Sequence, residues 1–262
     1  MLPISLGDIC SFVRTTDPDD FGLRFSMVEA NGCTKADALI LNTFDDLEAD
    51  VLAALRAEYP RIYTVGPLGS LLNHHQRDDD ASGSAGGLSL WKQDSECLAW
   101  LDTQQPGSIV DNLVPGTGAG MSSLPPEFVA ATAGRCCLTA WCPQDQVLGH
   151  PAVGCFLTHN GWNSTCESVA AGVPMVCWPV FADQYTNCKY ACEVWGVGLR
   201  LDDEVRREQV ASHVRHAMKA KDMQEGAAGW KVKAEEAAAP GGMSWENLRS
   251  MVRELGSVNA EA

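Results

Sequence analysis

The sequence predicts an α/β fold, a doubly wound parallel sheet preceded by a smaller strand–helix–strand unit. Three observations carry that prediction. From residue 136 onward, short apolar runs alternate with helix-spaced stretches across brief loops, the pattern of a parallel sheet covered on both faces. An apolar run ends at Thr158 and passes through His159-Asn160-Gly161 into small polar residues that suit a helix start. The same strand–helix–strand alternation occurs once near the beginning, in residues 38–65.

Taken in order, Ala38 to Phe44 suits a buried strand. Asp45-Asp46 opens a helix carrying Leu47, Val51, Leu52 and Leu55 at helical spacing, Pro60 ends it, and Ile62 to Val65 forms the second strand. Residues 1–70 thus read as the tail of an α/β domain. Residues 71–90 are rich in Ser, Gly and Asp and read as a linker, in which His74-His75 are solvated rather than metal ligands. A helix from Trp91 bears Cys97, Leu98 and Leu101, and Ser108-Ile109-Val110 begins a strand that stops at once in the turn-forming Asp111 to Gly116. That break reads as an internal discontinuity near 110–111. Beyond it the expected strands are Cys136 to Trp141, Val153 to Thr158, Val173 to Trp178 and Val197 to Leu201. The expected helices are Asp145 to His150, Asn163 to Ala171 and Gln184 to Trp195. Two or three helices close the chain, one with Val210, Val214 and Met218 on a face, the last with Leu248, Met251, Val252 and Leu255. Residues 91–240 form the main domain and residues 241–262 a terminal helix.

Composition narrows the function. Among 262 residues, 34 acidic against 19 basic side chains give a net charge of −15, which argues against nucleic acid and anionic membranes. A bound phosphate must then be held by backbone N–H groups and a few local donors. No basic leader with an apolar core opens the sequence, and no stretch approaches the apolar length of a membrane span. Eleven cysteines are scattered without a C-x-x-C pair, and Cys136, Cys137, Cys155, Cys166 and Cys177 lie in apolar runs as small buried hydrophobes. These features predict a soluble protein of a reducing, cytoplasmic compartment. Asn163-Ser164-Thr165 fits a glycosylation sequon, which carries no weight without a secretory signal.

The chemistry concentrates between Trp141 and Gln184. Thr158 to Thr165 sets a helix start at the carboxyl end of a strand, where backbone N–H groups and the helix dipole suit a diphosphate. The same residues suit a capped helix without ligand, because Ser164-x-x-Glu167 is a capping box. His150, Cys155 and His159 sketch a metal site with no fourth ligand, and His159 makes better sense as a phosphate-side donor. Asp183-Gln184 pairs a carboxylate with an amide, fit either to bridge vicinal hydroxyls or to cap the next helix. Trp141 leads into a Pro-containing turn, where it either stacks on a base or packs in the core.

In their joint order these residues resemble the signature box of the plant family 1 UDP-dependent glycosyltransferases, and the rest of the chain from Leu2 is similar to members that glucosylate small plant metabolites. The resemblance implies a Rossmann-like sheet forming the C-terminal half of a GT-B two-domain glycosyltransferase, with a remnant of the N-terminal acceptor domain. It implies that Trp141 stacks on uracil, that Cys142 and Gln144 hold the base and ribose side, and that Glu167 takes the ribose hydroxyls. It further implies that His159, Asn163 and Ser164 meet the diphosphate and that Trp162, Asp183 and Gln184 meet the sugar, Gln184 pointing to glucose. The implied reaction moves glucose from UDP-glucose, with inversion, to a hydroxyl of a small lipophilic acceptor, without a metal or other cofactor.

Two departures from the family pattern accompany the match. The family's catalytic histidine and the aspartate that orients it lie near the start of the N-terminal domain, and no residue here matches either position. General-base catalysis is worth about 10² to 10⁴ in rate, so a donor-binding fragment without turnover is the alternative reading. Where the family continues Ser108-Ile109-Val110 into a full strand, a glycine-serine phosphate loop, a helix and another strand, this chain passes to Asp111, as in a truncated gene model or splice product. The loss predicts an exposed sheet edge, and the missing acceptor domain predicts an exposed apolar face on the last helix that promotes self-association.

Overall fold

The computed structural model describes residues 3–59, 61–78, 93–111, 125–139 and 141–258, without side-chain detail at 75–78, 110–111 and 257–258. The first unit holds α1 (Phe21–Cys33), β1 (Leu39–Leu41), α2 (Ala49–Glu58), β2 (Ile62–Thr64) and α3 (Leu68–Asp78). β1 and β2 pair in parallel, Leu39 opposite Ile62 and Leu41 opposite Thr64, with α2 as the crossover. Leu47 stands in the turn before α2 rather than on it, and is buried there. α3 runs eight residues into the stretch expected as linker. Leu71 anchors it in a small core with Tyr63 and Val65, which its Ser/Gly/Asp-rich surroundings obscured. His74 lies on this helix, and residues 79–92 are outside the described set.

The second unit holds α4 (Glu96–Leu101), β3 (Ser108–Asp111), α5 (Pro126–Thr132), α6 (Gln144–Leu148), β4 (Val153–Thr158), α7 (Trp162–Ala171), β5 (Met175–Cys177) and α8 (Gln184–Lys189). α8 runs into a π-helical turn, Tyr190–Val194. Then come β6 (Gly198–Arg200), α9 (Arg207–Lys219), α10 (Lys221–Ala238) and α11 (Met243–Val258). The four strands are parallel in the order β3-β4-β5-β6. Alternate residues face opposite layers, as a period of two requires. Phe156, Met175 and Cys177 enter the core with Val169, Ala191, Trp195, Ala227 and Ala234, whereas Cys155 and Val176 pack with Val214, Ala217 and Met223. The sheet is therefore covered on both faces, as parallel sheets are.

Two expectations are corrected. The run from Cys136 makes no strand over its described residues; Cys137 and Cys142 instead pack with Cys97, Leu101 and Val147, and Thr139 donates from Oγ1 to Asp94 (3.1 Å). The apolar face of α11, expected to be exposed, is covered in part. Trp245 is buried with Tyr63, Val65 and Leu71, Leu248 and Met251 pack beside it, and Asn247 donates to the Thr64 carbonyl (3.1 Å). α11 thus crosses back onto β2, leaving Val252 and Leu255 each 57% exposed. At the expected discontinuity, β3 pairs with β4 through Asp111 and Ile109 is 51% exposed; residues 112–124 lie outside the described set.

Candidate functional site at the carboxyl end of β4

β4 delivers its last residue, Thr158, into the interior, where Thr158 Oγ1 accepts the Asn160 N–H (3.1 Å). Asn160 adopts φ 62° and is fully buried, and its carbonyl accepts Asn187 Nδ2 (2.9 Å), which ties the turn to α8. Gly161 is the N-cap of α7. A Cβ there would stand 2.5 Å from His159 Nε2, so only glycine lets the imidazole lie across the turn. No side chain caps α7, and its first internal bond runs from the Thr165 N–H to the Gly161 carbonyl (3.0 Å). The helix therefore starts three residues earlier than a Ser164-x-x-Glu167 capping box requires, and that pair is not a capping box. Its N-terminus instead presents backbone donors and a positive dipole to the crevice beyond the strand.

Ser164 and Glu167 are joined through Gln144, the first residue of α6. Gln144 Nε2 donates to Ser164 Oγ (3.0 Å) and to Glu167 Oε2 (2.6 Å). Burial raises the Glu167 carboxyl above its ordinary range, and the Gln144 bond partly offsets this. Beside them Trp141 is 47% exposed, the most open of the aromatic candidates. The Cys142 thiol, pushed up to about 11 chiefly by burial, is neutral and packs toward Cys97.

His159 is half-buried, and its Nδ1 is buried with no hydrogen-bond partner among the described residues. Burial lowers its pKa, and the Asp183 carboxylate works in the opposite direction. Asp183 accepts Asn187 Nδ2 (2.9 Å). Gln184, only 3% exposed, turns Oε1 back to accept the Val180 and Phe181 N–H groups (2.8 and 3.0 Å), which holds the turn that carries Asp183. The amino-terminal segment braces the same turn. Ser11 N–H donates to the Ala182 carbonyl (3.0 Å), Ser11 Oγ accepts the Ala182 N–H (2.7 Å), and Thr186 donates to the Asp8 carbonyl (2.7 Å).

Trp162 points away from the crevice. Its indole N–H donates to the Asn42 carbonyl (2.8 Å), and its ring packs 6.4 Å from that of Trp195. Asn42, just past β1, also donates to Asn163 Oδ1 (3.4 Å) and accepts from the Leu68 N–H (3.3 Å). Sequence reasoning missed Asn42, Asn160 and Asn187. The only local signal was an amide at the end of each strand-like run or early in a helix, and their partners lie far along the chain. His150 bonds Asp102 (3.1 Å) and Cys155 is fully buried in the sheet, so His150, Cys155 and His159 do not assemble as ligands.

Comparisons with known proteins bear on the family and the fold. The family profile described as "UDP-glucoronosyl and UDP-glucosyl transferase" matches residues 119–227. A 7-deoxyloganetin glucosyltransferase of Gardenia jasminoides is 44% identical over 97% of this chain and 60% of its own length. An (R)-mandelonitrile beta-glucosyltransferase of Prunus dulcis is 41% identical, over 97% of this chain and 60% of its own. The chain spans about 60% of the length of these relatives. The matched stretch of the Gardenia protein, 293 residues, exceeds the 262 of this chain, so the relative carries intervening residues that this chain lacks. The crystal structure of Os79 from O. sativa in complex with UDP superposes with a TM-score of 0.83 at 28% identity, over 96% of this chain and 63% of that one. It is a GT-B UDP-glycosyltransferase, and the likeness shows the same α/β architecture here, with a coverage consistent with its C-terminal half.

Proposed function

Because the chain belongs to the UDP-glycosyltransferase family, we propose that it binds UDP-glucose in the crevice at the end of β4. With a general base from outside these residues, it transfers glucose with inversion to a hydroxyl of a small lipophilic metabolite. The observation that carries this reading is the uncapped start of α7, with the buried, unpartnered Nδ1 of His159 beside it, in a chain of net charge −15. An anion bound by so acidic a protein needs such fixed donors.

In this reading Trp141 stacks on uracil, and the Cys142 backbone and Gln144 border the base and ribose. Glu167, kept in place by Gln144, accepts from the ribose hydroxyls. His159, Asn163 and Ser164 receive the diphosphate, whose charge is met by these groups rather than by a metal ion. Asp183 takes the glucose hydroxyls, and Gln184, whose Oε1 is engaged by the Val180 and Phe181 N–H groups, has only its Nε2 amide to offer the sugar. Since the Trp162 indole N–H is already engaged by Asn42, its share is the backbone at the helix start. The acceptor is of the kind named for the relatives, an iridoid or cyanohydrin hydroxyl. A cytoplasmic location accords with cysteines that are all free thiols, and no described helix is long and apolar enough to cross a membrane. Self-association through what remains exposed of α11 is tested by light scattering, where a monomer at high concentration refutes it.

Titration with UDP-glucose, read by tryptophan fluorescence, tests the donor site. Quenching that saturates in the intact chain and disappears in Trp141→Ala is expected, with the variant about tenfold or more weaker by calorimetry, since base stacking contributes about 1–3 kcal/mol. Equal affinity of the two proteins refutes the placement. UDP release with mandelonitrile as acceptor then separates a working transferase from donor binding without turnover.

A further inference from the structure

Behind the donor turn, three thiols that no glycosyl transfer requires are brought together. Cys177 ends β5, Cys188 lies on α8, and Cys192 lies in the π-helical turn that continues α8. Their sulfurs all lie within 4.8 Å of one another, and Cys188 Sγ and Cys192 Sγ are 4.0 Å apart. Cys177 and Cys188 are fully buried, whereas Cys192 is partly open to solvent and supplies an entry path. Gly198 leaves the room: a Cβ there would come within 3.0 Å of Cys177 Sγ and of Ala191. Arg200, the register partner of Cys177 on β6, brings positive charge to the cluster.

We propose that Cys177, Cys188 and Cys192 form a three-coordinate thiolate site for a soft, thiophilic monovalent cation, of which Cu(I) is the representative. Soft sulfur donors select such ions, whereas structural zinc sites are almost always tetrahedral and need a fourth ligand. Among the described residues, no histidine or carboxylate joins the three sulfurs within ligating range. Sulfurs 4.0 Å apart are far beyond disulfide length, yet each stands near a common centre. Binding releases the thiol protons to solvent and changes no oxidation state. The ion would join β5 to α8, the helix that begins at Gln184.

The test uses the full chain, reduced and metal-free, with Cu(I) supplied anaerobically in competition with a Cu(I) chelator. One tightly held Cu(I) per chain is expected, with three sulfur neighbours by X-ray absorption and a raised melting temperature. Cys192→Ser and Cys188→Ala should each weaken binding at least tenfold, while Cys97→Ser, outside the cluster, leaves it unchanged. Retained far-ultraviolet circular dichroism identifies variants that fold, and the sulfur count on the unaltered chain stands whatever they do. Failure to bind Cu(I), a coordination shell with fewer than three sulfurs, equal affinity in a folded Cys192→Ser, or tighter binding of Zn(II) in a four-ligand shell each overturns the assignment.

Discussion

At the scale of single residues, Glu167 is a buried carboxyl held by Gln144, and the ribose contact proposed for it sets a demand opposite to that of burial. Burial raises its pKa, so the folded protein favours the protonated carboxyl more than the unfolded chain does. The sign of the pH effect follows. The folded state keeps its proton to higher pH than the unfolded chain, so this group's contribution to stability falls as pH rises from the ordinary glutamate value through the raised one. Glu48, also raised by burial, acts in the same direction. Glu167→Gln should therefore flatten part of the pH dependence of urea unfolding across the weakly acidic range, without loss of stability at neutral pH. A charged acceptor for the ribose hydroxyls is worth about 1.5–3 kcal/mol, so the same variant should bind UDP-glucose about ten- to a hundredfold more weakly. Unchanged affinity by calorimetry removes Glu167 from the donor site.

At the scale of elements, the strand–turn–helix β4–Gly161–α7 was the most legible part of the chain. Val153 to Thr158 was read residue for residue, because a run bounded by Pro151-Ala152 and His159-Asn160-Gly161 leaves few alternatives. α7 was read one residue late, since its start is set by Gly161 and by a Trp162–Asn42 bond that spans 120 residues of sequence. The run from Cys136 was read as a strand because its apolar pattern cannot report that it packs on α4 instead of pairing. α1 was not read at all: Asp20 caps it, yet none of its residues is buried, so it carries little of the periodicity that marks a packed helix. Gly161→Ala tests the central element. Its φ of −58° suits alanine, so stability should change by about 1 kcal/mol or less, while the new methyl displaces the His159 imidazole. UDP-glucose affinity is expected to fall more than tenfold in a variant that melts near the parent temperature. A large loss of stability, or full affinity, contradicts this account of the turn.

At the scale of the whole molecule, the two units share one core. Phe44 and Leu47, in the turn between β1 and α2, are buried with Phe156, Val169, Val173 and Trp195 of the second unit. Trp195 donates its indole N–H to the Leu47 carbonyl (3.0 Å), and the Phe44 ring meets Trp230 edge-on at 6.4 Å. Asp46 and Lys233 add an exposed ion pair (3.4 Å), which contributes little. α11 closes the arrangement by returning to β2, with Ser244 donating to the Gly66 carbonyl (2.7 Å). The links through Phe44, Asp46 and Leu47 were not visible in the sequence, where residues 1–70 and 91–240 read as separate domains. A shared core makes the units unfold together, because neither keeps its apolar surface covered alone. Urea unfolding followed by tryptophan fluorescence, which samples mostly the second unit although Trp245 packs on the core of the first, and by far-ultraviolet circular dichroism, which samples both, should give coincident transitions. Phe44→Ala, a truncation in the first unit, should lower the stability seen by both probes by about 3–5 kcal/mol, the usual cost of emptying a buried phenylalanine site. If fluorescence keeps its midpoint while circular dichroism splits into two steps, the units are independent, and Phe44 serves only the part of the chain in which it resides.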